Sequence, residues 1–146
     1  MDEFIKLLDS NLEYLSHEIR NDTMYVEIKS NKTEFKCPHC GTASSKVHSK
    51  YKRTFQDLPI QGKKVTININ NRKIFCINPD CKHTTFAESF NFIRFKGKKT
   101  KRLEKEIVDW ALNTSSVTAS NILSNKIVKV SKSTVCNLLK KRSFYY

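Results

Sequence analysis

Apolar and polar positions at the front of the chain predict a short helix followed by a β-hairpin. Residues 2–8 have the apolar spacing of one helical face. Residues 12–20 and 24–29 predict two strands, and apolar side chains occupy every second position of the later one. The Asn-Asp pair at residues 21–22 favours a turn between them. We expect this hairpin to act as a scaffold that packs onto the segment behind it.

The middle of the chain predicts further strands with turns between them. The predicted strands are residues 47–55, 65–69 and 84–88. Apolar residues at every second position of residues 65–69 predict one buried and one solvated face. The Asp-Leu-Pro segment at residues 57–59 should end the first strand, and the Gln-Gly pair at residues 61–62 should turn the chain. The Asn-Asn pair at residues 70–71 should turn it again.

The last third of the chain changes to helical periodicity. Thr100 is a suitable N-cap for a helix that runs to about residue 112, and Trp110 should lie on its core-facing side. Residues 117–140 predict a helix-turn-helix whose second helix is capped by Ser131. The positions predicted to face inward are Ala119, Ile122, Leu123, Ile127, Val135, Leu138 and Leu139. An ordinary helical hairpin has the same apolar pattern, so the pattern alone leaves both interpretations open.

Charge is distributed unevenly between the front of the chain and the rest. Residues 1–35 carry 4 basic and 8 acidic side chains, whereas residues 36–146 carry 23 basic and 6 acidic ones. The net charge of the whole chain is +13. A basic body of this kind favours a polyanionic partner, most simply nucleic acid, although basic side chains can also serve only to keep a surface solvated.

The sequence favours neither a membrane nor an oxidising compartment. No apolar run is long enough to span a bilayer, and the acidic start Met1-Asp2-Glu3 lacks the features of a secretory signal. We therefore expect a cytoplasmic protein without a membrane partner, in which cysteines stay reduced.

Four cysteines form two closely spaced pairs. The pattern is C-x2-C at Cys37 and Cys40, a gap of 35 residues, and C-x4-C at Cys76 and Cys81. Two tight turns that each aim two thiolates at one point complete the tetrahedron of a zinc site. Four thiolates leave no open position for water or substrate, so we expect one structural Zn²⁺.

Other assignments of the cysteines and nearby histidines carry less weight. Two disulfides are disfavoured in a reducing compartment. His39, His48 and His83 lie near the cysteines in the sequence and could replace one of them as a ligand, although four cysteines already suffice. Cys136 lies in a helical pattern, and we expect a small packed side chain rather than a fifth ligand or a nucleophile.

These elements together predict an α+β fold, in which an N-terminal β-hairpin and a zinc ribbon precede a small helical helix-turn-helix segment. We expect residues 1–34 to form the first helix and hairpin, residues 35–92 the zinc ribbon, and residues 93–146 a basic linker and the helix-turn-helix. The ribbon is too small to bury enough apolar surface alone, so metal binding should supply much of its folding free energy.

Two sets of polar side chains are candidates for contacting DNA. The first is a dense basic tract, which is also compatible with a solvated linker, and it comprises Arg94, Lys96, Lys98, Lys99, Lys101 and Arg102. The second should face outward from the second helix of the helix-turn-helix or lie at its exposed end, and it comprises Lys132, Ser133, Thr134, Asn137 and Lys141. Hydroxyl groups and lysines suit phosphates, and asparagine and lysine suit base edges in the major groove.

The order and spacing of these motifs resemble the N-terminal region of the ISL-three family of insertion-sequence transposases. The matching segments are Cys37-Pro38-His39-Cys40-Gly41, Val47-His48-Ser49, Tyr51-Lys52-Arg53, Asp57-Leu58-Pro59-Ile60, Gly62, Arg72, Phe75-Cys76-Ile77-Asn78-Pro79-Asp80-Cys81 and Thr85-Phe86-Ala87-Glu88. The resemblance continues through Trp110 and the helix at residues 130–139, and it is weakest over residues 1–30.

The resemblance implies a zinc-binding domain and a helix-turn-helix that recognise the terminal inverted repeats of a mobile element as double-stranded DNA, at the nucleoid of a bacterial cytoplasm. A homodimer, or a complex with a full-length transposase, is the assembly that it suggests. In this family a long catalytic domain follows, with an RNase H-like fold and three metal-binding carboxylates. The present sequence stops at Tyr146, so we expect the catalytic domain to be absent and the chain not to be an enzyme.

Two other functions fit the same features. One is a stand-alone transcriptional regulator with a zinc ribbon and a helix-turn-helix, and the other is a protein-docking zinc ribbon whose basic tract is only surface. Binding to element ends rather than to an unrelated promoter would separate the first from a transposase module. DNA affinity retained by residues 93–146 alone would count against the second.

Overall fold

The structure is a computed structural model that describes residues 1–141, except for the side chains of Ser116 and Lys126. Residues 142–146, the end of the predicted helix-turn-helix segment, lie outside the described residues. The helices are α1 (Asp2–Lys6), α2 (Lys101–Asn113), α3 (Ser116–Lys126) and α4 (Lys132–Lys140). The strands are β1 (Leu12–Arg20), β2 (Thr23–Ser30), β3 (Phe35–Lys36), β4 (Ala43–Ser44), β5 (Val47–Ile60), β6 (Lys63–Phe75) and β7 (Thr85–Ala87). The predicted α+β fold class is confirmed, and none of the described helices is long and apolar enough to cross a membrane.

One sheet contains the strands in the order β1-β2-β6-β5, with β7 paired to β6 as a fifth strand. The predicted hairpin is β1 and β2, and it joins this sheet side by side through β2 rather than packing onto a separate ribbon. Its turn residues Asn21 and Asp22 have φ of 49° and 62°, and Gln61 and Gly62 between β5 and β6 have φ of 49° and 76°. Two consecutive residues with positive φ are typical of the type I′ turn, whose twist matches that of the paired strands.

Strands β5 and β6 are longer than predicted, and two of the predicted interruptions are wrong. β5 continues through Pro59, which is tolerated because β5 ends the strand order and a proline there need not donate to a neighbouring strand. β6 runs through residues 70–71 without a turn. Asn71 is buried there because its side-chain N–H groups donate to the Tyr51 hydroxyl at 3.0 Å and to the Glu88 carbonyl at 3.2 Å. An asparagine with these partners does not have to leave the strand.

The chain forms two compact units, and strands β1, β2, β5 and β6 each contribute residues to both. The first unit comprises Met1–Ser16, Glu27–Arg53 and Asn68–Asn91, and the second comprises His17–Val26, Thr54–Ile67 and Phe92–Tyr146. The division into residues 1–34, 35–92 and 93–146 stays a prediction.

The first unit has a small apolar core beside the two cysteine pairs. Its buried cluster is Phe35, Cys37, Ile74 and Phe86, with Cys76 and Cys81 packed against it. The Arg72 guanidinium lies 4.6 Å from the centroid of the Phe35 ring and donates to both carboxylate oxygens of the buried Glu88, at 3.0 and 2.9 Å. This ion pair neutralises a carboxylate that would be strongly destabilising if it were buried alone.

The second unit has a larger core, formed mainly by α2, α3 and α4. The buried cluster is Leu103, Ile107, Val108, Ala111, Ala119, Leu123, Val128, Val130, Val135 and Leu138. Trp110 packs against this cluster, as the helical spacing predicts. Each of the three helices begins at a hydroxyl N-cap that accepts a backbone N–H from its first turn, and the caps are Thr100, Ser115 and Ser131. A cap of this kind contributes about 1 kcal/mol to the stability of a helix.

Candidate metal centre and nucleic-acid interface

The first cysteine pair lies in the tight turn that joins β3 to β4, which pair antiparallel. The N–H of Cys37 donates to the Thr42 carbonyl at 3.0 Å, and the N–H of Gly41 donates to the Cys37 carbonyl at 2.8 Å. Gly41 has φ of +76°, which glycine adopts without strain because it has no Cβ. This turn therefore holds Cys37 and Cys40 close together.

The second cysteine pair lies in the connection between β6 and β7, which also pair antiparallel. The N–H of Cys76 donates to the Thr84 carbonyl at 2.9 Å, and the N–H of Cys81 donates to the Asn78 carbonyl at 3.1 Å. The side-chain oxygen of Asn78 accepts the N–H of Asp80 at 3.0 Å, which is an Asx-turn. Local hydrogen bonds thus fix the backbone on both sides of this pair.

The four thiols converge on one point. Their Sγ atoms all lie within 4.8 Å of one another, and the Sγ atoms of Cys40 and Cys76 are 3.5 Å apart. Zinc–sulfur bonds of about 2.3 Å place the sulfurs of a tetrahedral site roughly 3.8 Å apart, so this cluster fits one Zn²⁺. The predicted structural zinc ion is confirmed, and the group of side chains that would hold it is Cys37, Cys40, Cys76 and Cys81.

The thiols of this cluster differ in their tendency to ionise. A hydrogen bond from the Thr42 hydroxyl lowers the pKa of Cys40 to about 6, which favours its thiolate form. The Asn78 backbone N–H lowers the pKa of Cys76, but burial and hydrogen bonds with the other three thiols outweigh it and raise that pKa to about 12. Zinc binds the thiolate form, so ligation by Cys76 requires the release of a proton.

The remaining candidate ligands lie outside the cysteine cluster. Among residues 1–141, the metal-ligating group that the structure brings together contains the four cysteines and no histidine. The His39 and His83 rings contact each other, with centroids 3.5 Å apart and planes tilted by 37°. His48 packs edge-on against Phe75 at 4.8 Å. Cys136 lies on α4 as a half-buried free thiol and is not part of the cluster.

Two arginines of the basic tract bind buried carboxylates. Arg94 donates to both oxygens of Glu104, at 3.0 and 2.6 Å, and Glu104 is only 2% exposed. Arg102 binds both oxygens of the buried Asp57, which also accepts the Thr100 hydroxyl at 2.7 Å. These arginines were predicted as DNA contacts, and that role stays a prediction. In the structure each arginine side chain is about a third exposed and pairs with a buried carboxylate, and loss of that pair would be strongly destabilising.

The lysines of the basic tract are more available to a ligand. Lys96, Lys98 and Lys101 are exposed, whereas Lys99 is half-buried. Burial lowers the pKa of Lys99. A small pocket of about 90 Å³ has basic, acidic and apolar lining residues, namely Arg94, Lys98, Lys99, Glu104, Thr134 and Leu138. The exposed lysines are therefore the members of this tract with charges best placed to reach phosphates.

Helix α4 presents a polar face to solvent and an apolar face to the core. Val135 and Leu138 are buried, and the exposed side chains are Lys132, Ser133, Asn137, Lys140 and Lys141. The predicted candidate Thr134 is half-buried, and its backbone N–H donates to the hydroxyl of the N-cap Ser131 at 3.2 Å. The helix pair of α3 and α4 is present, with a short connection at residues 127–131. Contact of this face with DNA stays a prediction.

A further group of cations on β5 was missed by the sequence pattern. Lys50 and Lys52 are exposed, and Tyr51 between them is also exposed. Residues 47–52 show no alternation of apolar and polar residues, so the pattern did not indicate which of their side chains face the solvent. The signal in the sequence was the run of three cations within residues 50–53.

Comparison with known families identifies the cysteine-containing segment. Residues 33–81 match the family described as the zinc-finger of transposase IS204/IS1001/IS1096/IS1165. The match begins just before β3 and ends at the last of the four cysteines. No curated protein and no solved structure matches the chain.

Proposed function

We propose that the chain is the DNA-binding module of a transposase, because residues 33–81 match the zinc-finger family of transposase IS204/IS1001/IS1096/IS1165. In this proposal it recognises the terminal inverted repeats of a mobile element as double-stranded DNA. The single observation that carries the proposal is this family match, and the surface that would contact DNA is the exposed polar face of α4, which follows a capped N-terminus and is anchored by buried Val135 and Leu138. Because transposases act on DNA, we infer that DNA is the partner of that face.

Helix α4 would read the base sequence. Lys132 and Ser133 are exposed in its first turn, and Asn137 is exposed one turn later. The N-terminal part of a recognition helix is the part that enters the major groove. Asparagine pairs with adenine through two hydrogen bonds, and lysine donates to guanine, each pairing discriminating by about 1–3 kcal/mol against a wrong base.

Exposed lysines would supply most of the affinity. Lys96, Lys98 and Lys101 add three exposed cations to those of α4. Each phosphate that a cation neutralises releases condensed counterions, so binding should weaken with salt by a slope of about −0.9 per phosphate. These contacts would position the protein on any duplex, and α4 would select the site.

The zinc ion would act on the fold and not on DNA chemistry. When bound, it joins the β3–β4 turn to the β6–β7 connection through four thiolates and stabilises the first unit. All four ligands are cysteines, which is the donor set of structural zinc sites. We infer that the ribbon stabilises the module and does not cleave DNA.

The module is proposed to bind element ends without cutting them. A zinc ribbon is a non-catalytic piece of a transposase, and the buried carboxylates Asp57, Glu88 and Glu104 are each neutralised by an arginine. Bound in this way, residues 1–146 would compete with a catalytically active transposase for the same ends at the nucleoid. Co-expression of these residues with such a transposase should lower the transposition frequency, and an unchanged frequency would contradict the competition.

The test of the proposed function is the DNA sequence that the protein selects. The purified zinc-loaded chain is incubated with a random pool of duplexes, and the bound fraction is amplified and sequenced over several rounds. Enrichment of the inverted repeats that flank the element supports the proposal. Enrichment of an unrelated promoter sequence favours a transcriptional regulator, and no enrichment contradicts sequence-selective binding.

A further inference from the structure

Phe95 is 80% exposed, whereas the neighbouring Phe90 and Phe92 are 6% and 7% exposed. The sequence groups these three aromatic residues, and the structure separates Phe95 from the other two. Single exposed apolar side chains are common on protein surfaces. Phe95 differs from such side chains in the way that the backbone presents it and in the charges around it.

A tight turn at residues 94–97 presents the Phe95 ring. The N–H of Gly97 donates to the Arg94 carbonyl at 2.7 Å and closes the turn. Lys96 has φ of +57°, a conformation that residues with a Cβ rarely adopt and that is concentrated at functional sites. A Cβ at Gly97 would lie 2.9 Å from the Arg94 carbonyl oxygen, so the turn requires glycine at this position.

The turn is fixed on both sides. The Arg94 side chain is held by its two hydrogen bonds to buried Glu104. Ile93 and Thr100 form an antiparallel bridge across the base of the loop, and the N–H of Lys101 donates to the carbonyl of residue 92 at 2.8 Å. A side chain presented by such a rigid segment loses little backbone entropy on binding a partner.

One cation lies near the exposed ring, and two more exposed lysines follow it in the chain. The Lys96 ammonium lies 5.5 Å from the ring centroid, and Lys98 and Lys101 are exposed a few residues further along. An apolar ring flanked by lysines suits a ligand that has phosphates outside and stacked apolar surfaces inside, which is the composition of a duplex. An apolar groove of a protein partner would match the flanking charges only with acidic groups at its rim, whereas phosphates flank every base step of a duplex.

We propose that Phe95 is an apolar wedge that inserts at a base step of a DNA duplex from the minor groove, while the adjacent lysines bind the flanking phosphates. This inference rests on the proposed DNA binding and adds a second contact with the duplex. Insertion of the ring partly unstacks one base step and bends the DNA. Flexible pyrimidine–purine steps unstack most readily, so the wedge would also favour particular sequences without hydrogen-bonding to a base.

The test compares the wild type with Phe95→Ala and Phe95→Leu on a duplex that the wild type has selected from a random pool. Affinity is measured over a range of salt, and the bend is measured by energy transfer between dyes at the two ends. Phe95→Ala should bind about tenfold more weakly, which is about 1.4 kcal/mol, and should bend the DNA less. The salt slope should not change, because no charge is removed. Phe95→Leu keeps an apolar wedge and should keep most of the bend.

Phe4→Ala is the matched control, because Phe4 is also exposed but lies beside Asp2 and Glu3. It should leave affinity and bend unchanged, and all variants should unfold at the same temperature as the wild type, since both rings are exposed. If the wild type binds and Phe95→Ala equals it in affinity and bend, the wedge is wrong and the proposed function stands.

Two further outcomes separate the wedge from its alternatives. A wild type that binds no duplex at low ionic strength overturns the proposed function, and the wedge with it. The wild type could instead bind a single-stranded probe more tightly than the duplex, and Phe95→Leu could bind as weakly as Phe95→Ala. This result indicates that the ring stacks on an unpaired base, and it overturns the wedge.

Discussion

Arg94 and Glu104 form a bidentate ion pair in which the carboxylate is almost completely buried. Both guanidinium-to-carboxylate distances are short, 3.0 and 2.6 Å. The pair connects the basic tract to α2, ten residues further along the chain. Arg102 binds Asp57 in the same way. Two cations that the sequence assigns to DNA therefore stabilise the second unit, and the exposed lysines around them remain available to a ligand.

Arg94→Ala should lower the free energy of unfolding substantially. It removes the arginine that makes both hydrogen bonds to the buried Glu104 carboxylate, and removal of one member of a buried pair costs about 3–5 kcal/mol. We expect about 3 kcal/mol, because Arg94 is about a third exposed and water can reach part of the site. Urea denaturation measures the change. Lys98→Ala removes the same charge from an exposed position and should change stability by less than about 0.5 kcal/mol. Equal stability of the two variants would contradict a structural role for the pair.

Cys76→Ser should abolish stoichiometric zinc binding and unfold the ribbon. Three thiolates and a hydroxyl lose much of the metal's binding free energy, and in a small metal site that energy is folding free energy. Zinc content by atomic absorption and thermal unfolding by circular dichroism report the two effects. Cys136→Ser is the control. Cys136 lies outside the cluster, so this variant should bind zinc as the wild type does. Unchanged zinc content and melting temperature in Cys76→Ser would refute the assignment of the ligands.

Zinc affinity should fall as the pH falls. Zinc binds thiolates, and Cys76 has a pKa of about 12 despite the hydrogen bond from the Asn78 N–H, so its proton must leave on ligation. At lower pH protons compete more strongly with zinc for the thiolates. Zinc binding therefore weakens, and the metal-bound fold becomes less stable. Competition titrations with a chelator at several pH values measure the trend. A zinc affinity that does not depend on pH would contradict ligation by thiols that are protonated before zinc binds.

Asn137→Ala and Lys98→Ala should affect DNA binding in different ways. Loss of the amide should cost about 1–3 kcal/mol on the selected site and relax the base preference at one position. It should leave the salt slope unchanged. Loss of the exposed ammonium at Lys98, which is proposed to contact a phosphate, should weaken binding to all duplexes alike and reduce the magnitude of the salt slope by about 1. Identical effects of both variants on site and non-site DNA would argue against base reading by α4.

Much of the metal site could be predicted from the sequence, because its determinants are local. The spacing of Cys37 and Cys40 fixes one tight turn, and that of Cys76 and Cys81 fixes the other. Tetrahedral coordination then leaves little freedom in how the two turns meet. The hydroxyl N-caps of the helices were predictable for the same reason, since each acts within its own first turn.

The length of the strands could not be predicted, because it depends on distant partners. Asn71 stays in β6 through hydrogen bonds to Tyr51 and Glu88, which lie 20 and 17 residues away in the sequence. Pro59 stays in β5 because of the position of that strand in the sheet. A local pattern of turn-forming residues shows neither the distant hydrogen-bond partners nor the position of a strand in the sheet.

The residues of the basic tract that are available to contact DNA could not be predicted from the sequence either, because the partners of its arginines depend on the fold. A count of cations gives every Lys and Arg equal weight as a phosphate contact. The partner of Arg102 is Asp57, 45 residues earlier, and only the fold brings the two together. The exposure of Phe95, compared with the burial of Phe92 three residues before it, likewise depends on the turn at residues 94–97, which the spacing of the aromatic residues does not reveal.

The most direct test is the affinity of the zinc-loaded protein for two duplexes of equal length and composition, measured side by side by fluorescence anisotropy at one salt concentration near the physiological value. One duplex carries the inverted repeat of the element end, and the other carries the same bases in shuffled order. A DNA-recognition module should bind the repeat at least about 10³-fold more tightly, which is the lower range for specific sites. Equal affinity for the two duplexes, or no binding to either at low salt, would contradict the account.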